Sequence, residues 1–296
     1  MAKKLLLIFN PQSGKAKIKG KLFDIVNIFA KEGWEIQIYP TQKEKDAFEF
    51  IKERGAEFDR IVASGGDGTL NEAVHGLMCI PKDARPELGY IPAGTVNDFA
   101  SNLRIPKNMT AAAQKIVEGS PFKCDIGKFN DRHFVYVAAF GAFTNVSYET
   151  PQQTKNTLGQ MAYFLEGIKQ LHMLPSYKLK ITCDEEEIVG EFILGMVSNS
   201  NHIAGFKTVT SLKADLNDGL FEVVLIKKPK SLFELSDMAS RLMSRDFNTD
   251  KIRVFRTKKI EFECEEPVSW NLDGEYGGAV KNAVISAKKE AVSLVV

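Results

Sequence analysis

Five apolar residues in a row, Leu5–Phe9, run straight into Asn10-Pro11-Gln12-Ser13-Gly14. An unbroken apolar run of strand length that stops at turn residues suits a strand buried on both faces, and such strands belong to parallel sheets covered by helices. The stretch that follows repeats the theme. Leu22, Ile25, Val26 and Phe29 recur at helical spacing within Ile18–Lys31, and Trp34–Tyr39 alternates as a strand. Lys43–Arg54 carries Ala47, Phe50 and Ile51 on one helical side, Arg60–Ala63 is a strand closed by Gly65-Gly66, and Thr69–Met78 is a helix. Leu88–Ile91 and Val96–Leu103 continue as strand and helix. The alternation predicts an α/β domain with a parallel sheet over residues 1–122.

Near Pro121 the periodicity changes. Tyr177, Leu179, Ile181 and Cys183 alternate with polar residues, as do Ile260, Phe262 and Cys264. Phe192–Val197 and Phe221–Ile226 are further strand candidates. One wet and one dry face per strand predicts an antiparallel β-sandwich over residues 123–283. Helical stretches at Leu158–Leu171 and Leu232–Met243 interrupt it, and residues 284–296 are free to return to the first domain. A length of 296 residues suits two domains.

Composition narrows the function. A net charge of +1, from 39 basic and 38 acidic residues, supplies no global field for nucleic acid. Cys79, Cys124, Cys183 and Cys264 lie far apart and the four histidines show no ligand spacing, which disfavours a zinc site or a disulfide framework. The first apolar run is too short for a signal-peptide core, and no stretch approaches the roughly 18 apolar residues of a membrane span. The expectation is a cytoplasmic chain, soluble or peripheral at a membrane.

Three strand ends carry small turn residues: Asn10 to Gly14, then Gly65-Gly66-Asp67-Gly68-Thr69, then Pro92-Ala93-Gly94-Thr95-Val96-Asn97-Asp98. Open parallel sheets bind ligands at the carboxyl ends of their strands. Glycines there let backbone N–H groups approach a phosphate, aided by the positive ends of the following helices. Thr69, Asn71, Thr95 and Asn97 read equally well as helix caps. Neither GxGxxG nor a complete GxxxxGK[ST] is present.

GGDGTLNE, PAGTVNDFA and the early NPxSG resemble the catalytic domain of diacylglycerol kinases and their bacterial, sphingosine and ceramide kinase relatives. GGDGT is shared more distantly with NAD kinase and 6-phosphofructokinase. The resemblance implies an NAD kinase-like α/β domain, transfer of the ATP γ-phosphate to the hydroxyl of diacylglycerol or a related lipid to give phosphatidic acid, and Mg2+. By the same resemblance Asn10, Pro11, Gln12, Ser13 and Gly14 lie beside the ATP phosphates, with Thr41 and Thr95 as further contacts. Gly66, Asp67, Gly68, Thr69, Leu70, Asn71 and Glu72 wrap the nucleotide. Asp67 organises metal and phosphate, Asp98 sits in the active-site turn, and Glu275 of Leu272-Asp273-Gly274-Glu275 is the base. Without the resemblance, Asp273-Gly274 is an exposed hairpin turn. Asp215, Asp218 and Leu220 match a structural magnesium loop, for which a plain hairpin is the alternative; magnesium favours oxygen ligands and keeps waters.

The implied partner is a membrane lipid, met peripherally at the inner face, with homodimer formation left open. Lys and Arg crowd the 227–259 region, interleaved with Leu232, Phe233, Leu235, Met238 and Leu242, which suits either an interfacial helix or a core-packed helix with a basic face. Met161 to Leu165 is a second candidate for the lipid cleft. Competing functions are a soluble-substrate kinase of the NAD kinase type and a nucleotide-binding regulator without catalysis.

Overall fold

The computed structural model describes residues 3–95, 97–141, 175–199, 202–203, 206–207, 215–244 and 249–296. The Leu158–Leu171 helix, Met161 to Leu165, Val96 and Arg245 of the basic region lie outside them.

The first lobe contains β1 (Lys4–Phe9), α1 (Ser13–Ala16), α2 (Leu22–Lys31), β2 (Glu35–Pro40), α3 (Asp46–Arg54), β3 (Arg60–Gly65), α4 (Asp67–Met78), β4 (Glu87–Pro92), α5 (Asp98–Asn102) and α6 (Met109–Glu118). The strands pair in parallel in the order β2-β1-β3-β4. Leu5, Leu6, Leu7 and Ile8 are all fully buried, because helices cover both faces of the central strand. The helix expected from Ile18 starts later: Lys17–Gly20 forms a tight 3-10 turn and the α-helix begins at Leu22. The helix expected over Val96–Leu103 contracts to α5. The sequence reading passed over α6, although Met109, Ala112, Ala113 and Ile116 line its buried side and Asn108 caps it by accepting from the Thr110 and Ala111 amides.

The second lobe contains β5 (Pro121–Phe129), β6 (Arg132–Phe134), β7 (Val137–Gly141), β8 (Tyr177–Cys183), β9 (Glu186–Ser198), β10 (His202–Ile203), β11 (Phe206–Lys207), β12 (Phe221–Lys227), α7 (Leu232–Ser244), β13 (Ile252–Thr257), β14 (Lys259–Leu272) and β15 (Glu275–Val295). The long strands β9 and β14 each pair with β7 along one stretch and with β8 along another. The sheet therefore folds over on itself around an aromatic core of Phe140, Phe192, Phe262 and Trp270. Across the lobes the sheet is continuous. β15 runs back from the β14 hairpin, and its Leu294 pairs in parallel with Leu88 of β4.

Helix α7 packs Leu235 and Met238 into a small core against β9, β12 and β13. The apolar face proposed for a bilayer is thus spent on the protein interior, except at the first turn, where Leu232 and Phe233 are 72% and 83% exposed. The side chain of Leu242 is outside the described residues.

Candidate functional site

The turns after β1, β3 and β4 meet backbone to backbone. Gly14 has φ +57°, and a Cβ there would stand 1.8 Å from Ala93 O; a Cβ on Gly94 would stand 2.6 Å from Gly66 Cα. Any side chain at these two positions would push the turns apart, so the glycines set the spacing of the cradle. Asn10 keeps its loop tight by accepting from the Gln12 amide at 2.9 Å and from the Ser13 amide through its carbonyl. Thr41 is buried, and both its amide and its hydroxyl donate to Phe9 O. Thr95 is exposed beside Gly94. Asn97 accepts from the Gly94 amide through Oδ1 and donates to Gly94 O through Nδ2, which closes the third turn on itself. Asn97 also sits at φ 56°, so it begins α5 without capping it with its side chain. Asp98 is the first residue of α5; its side chain is outside the described residues.

Gly66 precedes α4 in an extended conformation, so Asp67, Gly68 and Thr69 form its first turn. The amides of a helix's first turn have no intrahelical acceptor and favour an anion. The Tyr90 phenol, buried beneath, is pushed well above its usual range by burial and then by the charge of Asp67. The rest of the GGDGTLNE segment turns elsewhere. Leu70 is buried in the core. Glu72 accepts from the Lys45 and Ala47 amides at 2.9 and 3.1 Å, holding the start of α3. Asn71 donates to Asp273 Oδ2 at 2.5 Å. Side chains 70–72 thus help to build the lobe and its junction, and Asn71 and Glu72 also line the cleft beside Glu275.

Asp273 and Gly274 are the two loop residues of the β14–β15 hairpin, with φ 52° and 93°. Paired positive φ values define a type I′ turn, which Asp-Gly favours. The turn is not exposed as its sequence suggested. The Asp273 carboxylate is fully buried and takes four donors: Asn71 Nδ2, and the amides of Val135 (2.6 Å), Tyr136 (2.9 Å) and Val137 (2.9 Å). Tyr136 Oη also donates to the Asp273 carbonyl. Burial lifts this carboxyl to about 6 against the pull of those donors. No local pattern singles out Asp273; its only signal was an acidic residue at a turn whose neighbour was already of interest.

One residue further on, Glu275 opens β15 and reaches α4. A Cβ on Gly68 would stand 3.3 Å from Glu275 Oε1. The two carboxylates expected to act together, Asp67 and Glu275, therefore come from different lobes to the same end of α4. Burial, then the charges of Glu44 and Glu72, raise the Glu275 carboxyl above its ordinary range, with Arg132 and Lys45 opposing. A cleft of about 900 Å³ adjoins it, walled by Lys45, Phe48, His75, Arg132, Trp270 and Tyr276. His75 hydrogen-bonds to the His133 carbonyl across the lobes at 2.6 Å.

The Asp215–Leu220 loop lies apart from this junction. Asp215 is exposed; Asp218 accepts from the Leu220 amide at 2.9 Å and stands 3.6 Å from Arg256 Nη1. Buried Asp125 steadies the loop, accepting from the Gly219 and Glu290 amides at 2.6 Å each. Nothing in the pattern of β5 marked Asp125 beforehand.

Residues 4–129 match the diacylglycerol kinase catalytic domain, and residues 137–296 match the YegS C-terminal NAD kinase beta sandwich-like domain. A diacylglycerol kinase of Staphylococcus saprophyticus is 37% identical over 98% of this chain and 94% of the relative. The chain belongs to the diacylglycerol kinase family. A family relative from Staphylococcus epidermidis is 38% identical over 94% of this chain and 87% of its own. Two crystal structures from Bacillus anthracis strain Sterne superpose throughout. One, a diacylglycerol kinase, has TM-score 0.76 and 25% identity over 99% of this chain and 97% of its own. The other has TM-score 0.82 and 27% identity, over 99% and 97%. Family membership fixes the architecture as an NAD kinase-like α/β lobe followed by a β-sandwich-like lobe, and it supports a kinase. Among the described residues no helix is long and apolar enough to cross a membrane.

Proposed function

We propose that this chain is an ATP-dependent lipid kinase that phosphorylates the hydroxyl of diacylglycerol, giving phosphatidic acid, while bound peripherally at the inner face of the membrane. The observation that carries the proposal is the meeting of Glu275 with the Asp67-Gly68 end of α4 across the lobe junction. The cradle supports ATP as its occupant, because glycine at 14 and 94 lets the three turns approach one another and the first turn of α4 favours anions. When bound, ATP supplies the transferable γ-phosphoryl group and Mg2+ neutralises its charge. The protein does the rest. The three turns would hold the phosphates in register, Asp67 would hold the metal beside them, and Glu275 would take the proton from the acceptor hydroxyl. That oxygen forms the new bond to phosphorus as the bond to the bridging oxygen of ADP breaks. A carboxyl raised by burial is the better base for this step.

Incubation with γ-labelled ATP and mixed micelles of diacylglycerol, phosphatidylglycerol or a sphingoid base is expected to label diacylglycerol most. Label on NAD in place of any lipid would overturn the proposal in favour of a soluble acceptor. Nucleotide binding with no transfer to either would favour a regulator.

The loop at Asp218 offers a second role for magnesium. Among the described residues no group of three or more His, Cys, Asp or Glu side chains gathers to hold a metal. An ion here would draw on Asp218, Asp215, backbone carbonyls such as that of Leu220, and water, a donor set magnesium accepts. Asp218→Ala is expected to remove the gain in melting temperature on adding magnesium, about 2–4 °C if binding is worth about 1 kcal/mol. The same magnesium response in wild type and variant would exclude the site.

A further inference from the structure

Among the described residues, nothing covers the first turn of α7. Leu235 and Met238 fill the core beneath the helix, yet Leu232 and Phe233 project from its first turn at 72% and 83% exposure. They directly follow Lys227, Lys228, Pro229, Lys230 and Ser231. Val189 of β9, 66% exposed, belongs to the neighbouring strand: three residues on, Phe192 pairs with Lys227. Lys228 extends the same edge, its amide donating to Glu191 O at 2.8 Å.

The acids nearby are engaged at close range. Glu191 pairs with Lys228 at 2.9 Å, Glu234 accepts from the Lys230 amide at 2.7 Å and stands 3.5 Å from Lys251, and Asp237 pairs with Arg241 at 2.8 Å. From Lys227 to Arg241 the chain carries four basic residues against two acidic ones. A pair of adjacent large apolar side chains at a tip, backed by a basic collar, is complementary to a surface with anionic headgroups over hydrocarbon. A soluble protein partner would more usually meet an aromatic set in a broader apolar patch with charge excluded from its centre.

The geometry points to the β12–α7 tip as a membrane-docking element: Leu232 and Phe233 enter the headgroup boundary of an anionic bilayer while Lys227, Lys228 and Lys230 contact its phosphates. The inference rests on the lipid-kinase proposal for the purpose of docking, but vesicle binding tests it independently of phosphoryl transfer.

Co-sedimentation of the full chain with vesicles of zwitterionic lipid alone, and of zwitterionic lipid mixed with an anionic phospholipid, is expected to show retention on the anionic set. The double variant Leu232→Ser, Phe233→Ser should lose about tenfold or more in partitioning. A Lys227→Gln, Lys228→Gln, Lys230→Gln variant should lose a similar factor and much of its salt dependence. Both should keep wild-type melting and wild-type turnover of a short-chain diacylglycerol held below its micelle-forming concentration, because neither touches the lobe junction. Unchanged partitioning of either folded variant would overturn the inference, as would loss of self-association in place of loss of vesicle binding. If wild type binds vesicles through this tip but phosphorylates no diacylglycerol, the docking element stands and the proposed reaction falls.

Discussion

Glu275→Gln is expected to lower phosphoryl transfer by about two to four orders of magnitude, the usual worth of a positioned general base, while the protein stays folded. Glutamine keeps the shape of the side chain and its reach to Gly68, so the substitution removes basicity and little else. It also removes a carboxylate that burial and its acidic neighbours Glu44 and Glu72 already disfavour as an anion. Melting should therefore hold or rise slightly. Wild type should lose rate with falling pH at a point above the ordinary carboxylate range, because only the ionised base accepts the hydroxyl proton and its carboxyl is raised. That acid limb should vanish in the residual activity of the variant. Turnover of labelled ATP near the wild-type rate would remove Glu275 from the reaction and leave its approach to α4 as packing.

Asp273→Asn is expected to cost both stability and activity, about 3 kcal/mol or more for the first. The buried carboxylate faces four N–H donors and offers oxygens on both sides. Asparagine replaces one of those oxygens with an NH2 group, so donors meet donors and buried N–H groups are left without acceptors. The hairpin carrying Glu275 would then lose its tie to Asn71 of α4, and kcat should fall more than the KM for ATP rises. The charge has its own signature. A folded value of about 6 exceeds the unfolded value near 3.8. This group's contribution is thus fully present below about pH 4 and falls as pH rises towards and through 6, without cancelling the cost of leaving the four N–H donors unpaired. Chemical denaturation of wild type and variant between pH 4 and 7.5 tests this: the wild-type advantage should shrink as pH rises. A constant difference would mean that the carboxyl ionises as easily when folded as when unfolded.

Much of the first lobe was legible because local signals and tertiary demands coincide there. The Leu5–Phe9 run is apolar throughout since helices bury both its faces, and the glycines at 14, 66 and 94 mark turns that touch. Helix α6 was missed because its short pattern, rich in alanine, resembles a linker until Ala112 and Ala113 are seen pressed into the core. At the site, motif resemblance singled out Asp67 and Glu275, which the fold brings to one end of α4. Successive helical positions point in different directions, so Leu70 goes to the core, Asn71 to the second lobe and Glu72 to α3.

What the sequence determined by itself was the pair of lobe types, the three glycine-rich strand ends and the family. Periodicity of two or of 3.6 and the backbone freedom of glycine are local properties, written residue by residue. The return of residues 284–296 to the first lobe was open from the sequence; what only the tertiary structure decided was the register of Leu294 on Leu88, the burial of Asp273 beneath amides of residues 135–137, and the reach of Glu275 to Gly68. Those contacts join residues at least 136 positions apart, and no local pattern encodes them, because their energy comes from groups that meet only once both lobes have folded.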